Sequence, residues 1–318
     1  MRGAKLVLFI LTFSGGAQVA QLVELAPREP MPSSADSDRN LSIFRLPPMF
    51  PASFAAGQRA VPSSRTLALR ADAALVVDQE SGRILFAKNP DLVRPIASIT
   101  KLMTALVVLE AGQPLTEKLT VDEADRDTLR FTRSRLQTGA TLTRAELLRL
   151  ALMSSENRAA AALARNYPGG TGACVAAMNR RAAALGMTDT RFADPTGLSS
   201  ENVSTARDLA KLVHDGYHHD PIPEFTTTES YTVSWGSRGR QRQFHNTNAL
   251  VCDPTWSIGL SKTGYISEAG PCLVMQAWIA GRPYIITLLD AVGKYTRTAD
   301  ARRVRRWLET QSGRARVG

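Results

Sequence analysis

Ser98 and Lys101 stand three residues apart in Ile96-Ala-Ser-Ile-Thr-Lys-Leu-Met-Thr-Ala105. On a helix, positions i and i+3 share a face, so a hydroxyl and an amine at this spacing can exchange a proton. The lysine is informative because the chain uses so few, seven against 32 arginines. Unlike arginine, lysine loses its proton at a reachable pH and presents a compact point charge. A second lysine, Lys262, opens the one Lys-Thr-Gly in the chain. The two point to a serine nucleophile activated by a lysine base, in chemistry that needs no histidine. A helix starting after Pro95 would also place Ser98 at the positive end of the helix dipole, favouring negative charge on its oxygen. Taken alone, the same pattern suits an N-cap serine followed by a solvated lysine.

Two further motifs qualify the first. Ser155-Glu156-Asn157 falls between two predicted helices, but Ser200-Glu201-Asn202 repeats it within the same Ser-Ser-Glu-Asn context. The first copy is the better candidate, because it lies at a helix–helix junction and runs into Arg158-Ala-Ala. The second follows the turn-like Asp194-Pro-Thr-Gly-Leu198. Lys262-Thr263-Gly264 ends a strand-like run. There the glycine permits close backbone approach, the lysine supplies charge and the threonine a hydroxyl for a carboxylate.

The elements that must position these residues follow from hydrophobic period. Residues 73–78 and 83–88 read as a hairpin with Gly82 in its turn. A helix from near Ser98 carries Leu102, Ala105, Leu106 and Leu109 at helical spacing. Further helices are expected over 142–153, 158–165, 175–185 and 204–214, the last with Ser204 as N-cap. After Pro223 the pattern returns to strands, over 230–235, 243–245, 257–261, 272–279 and 284–289, and a helix over 300–308 closes the chain. Strands, a block of helices, then consecutive strands predict an α+β layout: an antiparallel sheet with a mainly helical region, about 98–220, inserted into it.

Length and composition agree with a globular protein: 318 residues, 44% hydrophobic and 21% charged. The net charge of +10 is concentrated at the ends. Residues 301–318 carry +5 and residues 1–17 carry +2, leaving +2 for residues 66–300. That distribution argues against nucleic acid as a partner; the basic tail is suited at most to weak association with a membrane or an anionic wall polymer. A basic start, the apolar run Leu6–Phe13 and the small residues Ser14–Ala17 predict a secretory signal over 1–17, too short for a bilayer span. Residues 18–65, rich in Pro, Ser and Ala, read as a linker or poorly ordered arm, and 311–318 as a basic tail. Cys174, Cys252 and Cys272 match no metal spacing, and whether Cys252 pairs with Cys272 is left open by the sequence. His214 and His218 are four apart with no third ligand evident, and His245 precedes Asn-Thr-Asn at what would be the cleft edge.

Ser-x-x-Lys, Ser-x-Asn and Lys-Thr-Gly in this order form the signature of class A β-lactamases and penicillin-binding proteins. With Asp194–Leu198, Val203–Asp208, His245–Asn248 and Asp290–Tyr295, the chain resembles the D-alanyl-D-alanine endopeptidase branch of the low-molecular-mass penicillin-binding proteins over residues 66–310. The resemblance implies a five-stranded antiparallel sheet flanked by helices, and a periplasmic serine peptidase that cleaves peptidoglycan cross-links without a cofactor and is inhibited by β-lactams. It implies Ser98 as nucleophile, Lys101 as base, Ser155 as proton relay and Asn157 as the group orienting the substrate amide. Lys262, Thr263 and Gly264 would receive the carboxylate, and the N–H groups of Ser98 and Tyr265 would hold the oxyanion. A D-Ala-D-Ala carboxypeptidase uses the same residues and is the alternative; a β-lactamase or a non-catalytic wall-binding protein is further off. The chain departs from class A β-lactamases in having no Glu-x-x-Leu-Asn. It also has no room for the β-rich C-terminal domain and anchor of related carboxypeptidases, so a soluble or loosely attached enzyme is expected.

Overall fold

A computed structural model describes residues 67–236, 239–293 and 295–315, with side chains as far as residue 312. The signal over 1–17, the arm over 18–65 and the last three residues of the basic tail lie outside the described residues.

Strands β1 (Ala71–Asp78) and β2 (Ile84–Lys88) form the expected hairpin, with Gly82 at φ 68° in the turn. They join β9 (Ser257–Gly264), β10 (Cys272–Ile279) and β11 (Arg282–Ala291) in one antiparallel sheet, ordered β2-β1-β11-β10-β9. The two-residue period sorts its side chains between two apolar layers. Ala73, Leu75 and Val77 of β1 and Ile285 and Leu289 of β11 face the helical block. Ala74 and Val76, with Ile286 and Leu288, face the opposite side. There α7 (Thr296–Ala315) lies on the sheet through Ala301, Val304 and Leu308, positions one helical stripe apart. Asp300 fastens it by accepting from the N–H groups of Arg70 and Ala71 at 2.9 and 2.8 Å. Each such Leu or Ile taken out of water contributes about 2 kcal/mol.

The helical block follows β2 in sequence. It comprises α1 (Thr100–Glu110), α2 (Arg144–Met153), α3 (Asn157–Arg165), α4 (Gly170–Ala184), α5 (Ala206–Tyr217) and α6 (Ile222–Thr227). α1 is buried from Thr100 to Val108 on every side, as a helix at the centre of a core must be. The two-residue strands β3 (Arg94–Pro95) and β6 (Val203–Ser204) pin the segment that enters it. Two small hairpins stand apart from the main sheet: β4 (Lys118–Thr120) with β5 (Thr141–Thr143), and β7 (Ser230–Trp235) with β8 (Arg240–His245).

Several boundaries differ from expectation. Ser204 is a strand residue, and Thr205 caps α5 by accepting from Asp208 N–H. α6 is a short helix in a stretch for which no element was expected; its proline stands in the first turn, where a missing N–H costs nothing. β9 continues through Lys262-Thr263-Gly264, so the motif belongs to the strand itself. All three cysteines are free, which removes the Cys252–Cys272 bridge; Cys252 is exposed, while Cys174 and Cys272 are buried.

Candidate active site

The turn bearing Ser98 is built before α1 begins. Residues Ala97–Ile99 form a 3-10 turn, α1 starts at Thr100, and neither start has a side-chain cap. Ser98 is therefore no N-cap; its hydroxyl meets Lys101 Nζ at 2.8 Å. Ala97 adopts φ +48°, a left-handed conformation unfavourable for a residue with a Cβ. Two glycines hold it there. A Cβ on Gly197 (φ +81°) would lie 2.0 Å from Ala97 O and 2.8 Å from Ser98 N. A Cβ on Gly264 would lie 2.7 Å from Ile96 O and 3.3 Å from Ser98 N. The loop around Gly197 and the end of β9 thus pack directly on the backbone of Ile96–Ser98, on terms only glycine allows.

Lys101 is 1% exposed and its Nζ has three oxygen neighbours: Ser98 Oγ, Asn157 Oδ1 at 2.8 Å and the carbonyl of Thr196 at 2.5 Å. A neutral amine has two N–H groups and one lone pair. Asn157 Oδ1 and Thr196 O can only accept, so they take the two N–H groups and leave the lone pair for the Ser98 hydroxyl. Burial lowers the Lys101 pKa from 10.5 to about 7, against the pull of Asp194, Glu156 and Asp127. Repulsion from Lys262 is not what lowers it: the effect of like charge falls on Lys262. That amine, also 1% exposed, is pushed well below the ordinary lysine range by burial, then by Lys101 and Arg297.

Lys262 Nζ donates to Ser155 Oγ at 2.8 Å and to Thr263 O at 2.9 Å. Ser155 is held at φ +59° in the link between α2 and α3, and Glu156 caps α3 by accepting from Arg158 N–H. The strained link turns Ser155 toward one lysine and Asn157 toward the other. Thr263 Oγ1 donates to Thr247 Oγ1 at 2.6 Å, and Asn157 Nδ2 to Thr132 Oγ1 at 3.0 Å. Ser98, Lys101, Ser155, Asn157, Lys262, Thr263 and Gly264 are therefore brought together, with the Tyr265 side chain 67% exposed beside them. His245 is exposed on β8, and no side-chain hydrogen bond joins it to these groups among the described residues.

The second Ser-Glu-Asn copy has a structural task. Asn202 is fully buried, accepts from the N–H groups of Ala193 and Asp194, and donates to Asp194 Oδ2 at 2.8 Å. Asp194 in turn accepts from the backbone of Thr196, Gly197 and Ser199. This network fixes the loop that offers Thr196 O to Lys101 and Gly197 to the Ala97–Ser98 turn. A residue not picked out from the sequence is Arg297, which donates to Gly264 O at 3.0 Å. That carbonyl shares a peptide unit with Tyr265 N–H, so holding the one aims the other to the opposite side and strengthens it as a donor. Nothing marks Arg297 among 32 arginines.

The family model for D-alanyl-D-alanine carboxypeptidase matches residues 59–293. The chain is 51% identical over 242 residues to the D-alanyl-D-alanine endopeptidase of Pseudomonas aeruginosa, covering 76% of this chain and 78% of the relative. It is 45% identical over 274 residues to that of Escherichia coli, covering 85% and 88%. Among solved structures, a Streptomyces DD-transpeptidase superposes with a TM-score of 0.70 at 28% identity, over 74% of this chain and 96% of that one. A D-alanyl-D-alanine carboxypeptidase from Mycobacterium tuberculosis gives 0.70 at 27%, over 79% and 95%. By the family match and these relatives, the chain belongs to the D-alanyl-D-alanine carboxypeptidase family of serine peptidases.

Proposed function

We propose that this protein is a D,D-endopeptidase that cleaves the D-Ala–diaminopimelate cross-links of peptidoglycan through an acyl-enzyme on Ser98. The observation that carries the chemistry is the Lys101 amine, buried, near neutrality and 2.8 Å from the Ser98 hydroxyl. As Ser98 Oγ attacks the scissile carbonyl carbon, its proton passes to Lys101 Nζ and the C=O pair moves onto oxygen. The N–H groups of Ser98 and Tyr265 hold that oxyanion. Collapse breaks the C–N bond, and the leaving nitrogen takes a proton through Ser155, the hydroxyl bonded to Lys262. Asn157 orients the substrate amide, and Lys262 and Thr263 receive the carboxylate beside the leaving nitrogen. Water then attacks the ester and frees Ser98.

A substrate carboxylate also sets the proton balance. Before it arrives, burial and then the charges of Lys101 and Arg297 disfavour the Lys262 ammonium. A bound carboxylate opposes that shift and favours the Lys262 ammonium. The endopeptidase preference is supported by the names of the relatives at 51% and 45% identity. The family description favours the second reading, a D-Ala-D-Ala carboxypeptidase on the same residues. Residues 1–17 would direct export to the periplasm, residues 18–65 would be a linker, residues 66–310 the catalytic domain, and β-lactams would acylate Ser98. The arginine-rich tail would add weak affinity for anionic membrane or wall. Mass spectrometry of cross-linked muropeptide dimers mixed with pentapeptide monomers, incubated with wild type and Ser98→Ala, separates the readings. Dimers cut to monomers by wild type alone support the endopeptidase; loss of one terminal alanine with dimers intact supports the carboxypeptidase.

A further inference from the structure

Three loops meet past the end of β9, and one arginine joins them. Arg130, on the loop between the Glu123–Asp125 turn and β5, donates through Nε to Leu198 O at 2.5 Å and through Nη2 to Glu268 Oε1 at 2.8 Å. Leu198 follows the glycine that packs on the Ala97–Ser98 peptide, and Glu268 lies three residues beyond Tyr265. The order along this edge is Thr263, Tyr265, Glu268. A peptide extended along it, with its leaving-side carboxylate at Lys262 and Thr263 and its scissile carbonyl at Ser98, carries its acyl-donor residues past Tyr265 toward Arg130 and Glu268.

The receptor is firmly presented and loosely closed. Asp127 accepts from the N–H groups of Leu129, Arg130 and Thr132 and from the Thr132 hydroxyl, so the backbone bearing Arg130 is tied down. Thr132 in turn bonds Asn157. The Arg130 side chain is 21% exposed and that of Glu268 45%. Arg130 holds the Glu268 carboxyl down to about 2, so it is ionised at any working pH. A half-exposed ion pair is weakly held and opens readily when a competing charge is offered. An incoming carboxylate can take the guanidinium fork in its place, and the released Glu268 can then accept an ammonium.

Resting on the D,D-peptidase reading, we propose that Arg130 and Glu268 form an exchangeable receptor for the acyl-donor side chain, one ending in a carboxylate and an ammonium on the same carbon. The free D-centre of diaminopimelate, next to the scissile D-alanine, is such a group. Arg130 takes its carboxylate and Glu268 its ammonium, so the pair selects this residue over lysine, which offers the amine alone.

The test compares two peptides that differ only in diaminopimelate or lysine at that position. Wild type is expected to favour diaminopimelate in kcat/KM, and Arg130→Leu to lower the ratio about tenfold, the worth of one charged fork contact. Arg130→Lys should keep part of the preference. Glu268→Gln, which leaves the Arg130–Leu198 bond in place, should remove the preference for a free over an acetylated D-centre amine. Equal losses on both peptides in Arg130→Leu, or an unchanged ratio, would overturn the proposal and leave Arg130 a loop strap. If wild type is acylated by penicillin yet cleaves neither peptide, the D,D-peptidase reading itself fails.

Discussion

The pH dependence of Ser98 acylation tests the mechanism most directly, because it reports the charge of Lys101. An ordinary lysine at pH 7 is neutral in roughly one molecule in three thousand. With its pKa lowered from 10.5 to about 7, Lys101 is neutral in about half. Burial thus makes the base about a thousand times more available, at a cost to the ammonium form of about 5 kcal/mol. That gain lies within the range a positioned general base contributes. The second-order rate of acylation by a fluorescent penicillin, measured from pH 5 to 9.5, should rise about tenfold per pH unit below 7 and level off above it. The sign follows from the active form: the neutral amine takes the serine proton, so rate is lost as pH falls through the folded-state pKa. Glu156 favours the ammonium, so Glu156→Gln should move the inflection to lower pH. Lys101→Arg, which cannot deprotonate, should lose about a thousandfold at pH 7. A flat profile, an inflection moved to higher pH by Glu156→Gln, or substantial activity in Lys101→Arg would each place the base elsewhere.

Three further outcomes follow from the same geometry. Gly264→Ala puts a Cβ 2.7 Å from Ile96 O, so β9 must withdraw from the Ala97–Ser98 turn; penicillin acylation should fall at least about a hundredfold while circular dichroism still shows a folded protein. Asn202→Ala leaves the Ala193 and Asp194 N–H groups without their acceptor, and should cost about 2–3 kcal/mol in urea unfolding and slow acylation through the Thr196 loop. A bound carboxylate opposes the lowering of the Lys262 pKa, so binding of a D-Ala-D-Ala peptide to Ser98→Ala should take up protons below the ordinary lysine range, read by calorimetry in buffers of different ionisation heat, and the additional change Lys262→Met should abolish the uptake.

The parts of this molecule that the sequence discloses are those where chemistry restricts residue type. Lysine beside serine, and lysine before Thr-Gly, stand out because arginine carries nearly all other positive charge here and cannot replace an amine that must lose a proton. The sheet is legible for a related reason: 272–279 and 284–289 are apolar on both faces, which only a strand between two layers requires. What stays hidden is set by contacts distant in sequence. Ser155-Glu156-Asn157 and Ser200-Glu201-Asn202 are the same letters. One follows α2 in a left-handed turn that faces Lys101 and Lys262; the other folds its asparagine inward to brace Asp194. Local pattern favours the first copy through its helix junction, yet the task of the second appears only when the loop it braces is seen against Ala97. Arg297 is the sharper case. Its value lies in one carbonyl 33 residues away, in the peptide that Gly264 shares with Tyr265 N–H, and no feature of its own neighbourhood predicts that. Buried charge of this kind is specified by the completed fold, so substitutions at Asn202 and Arg297 should reach the nucleophile without either residue touching the substrate amide.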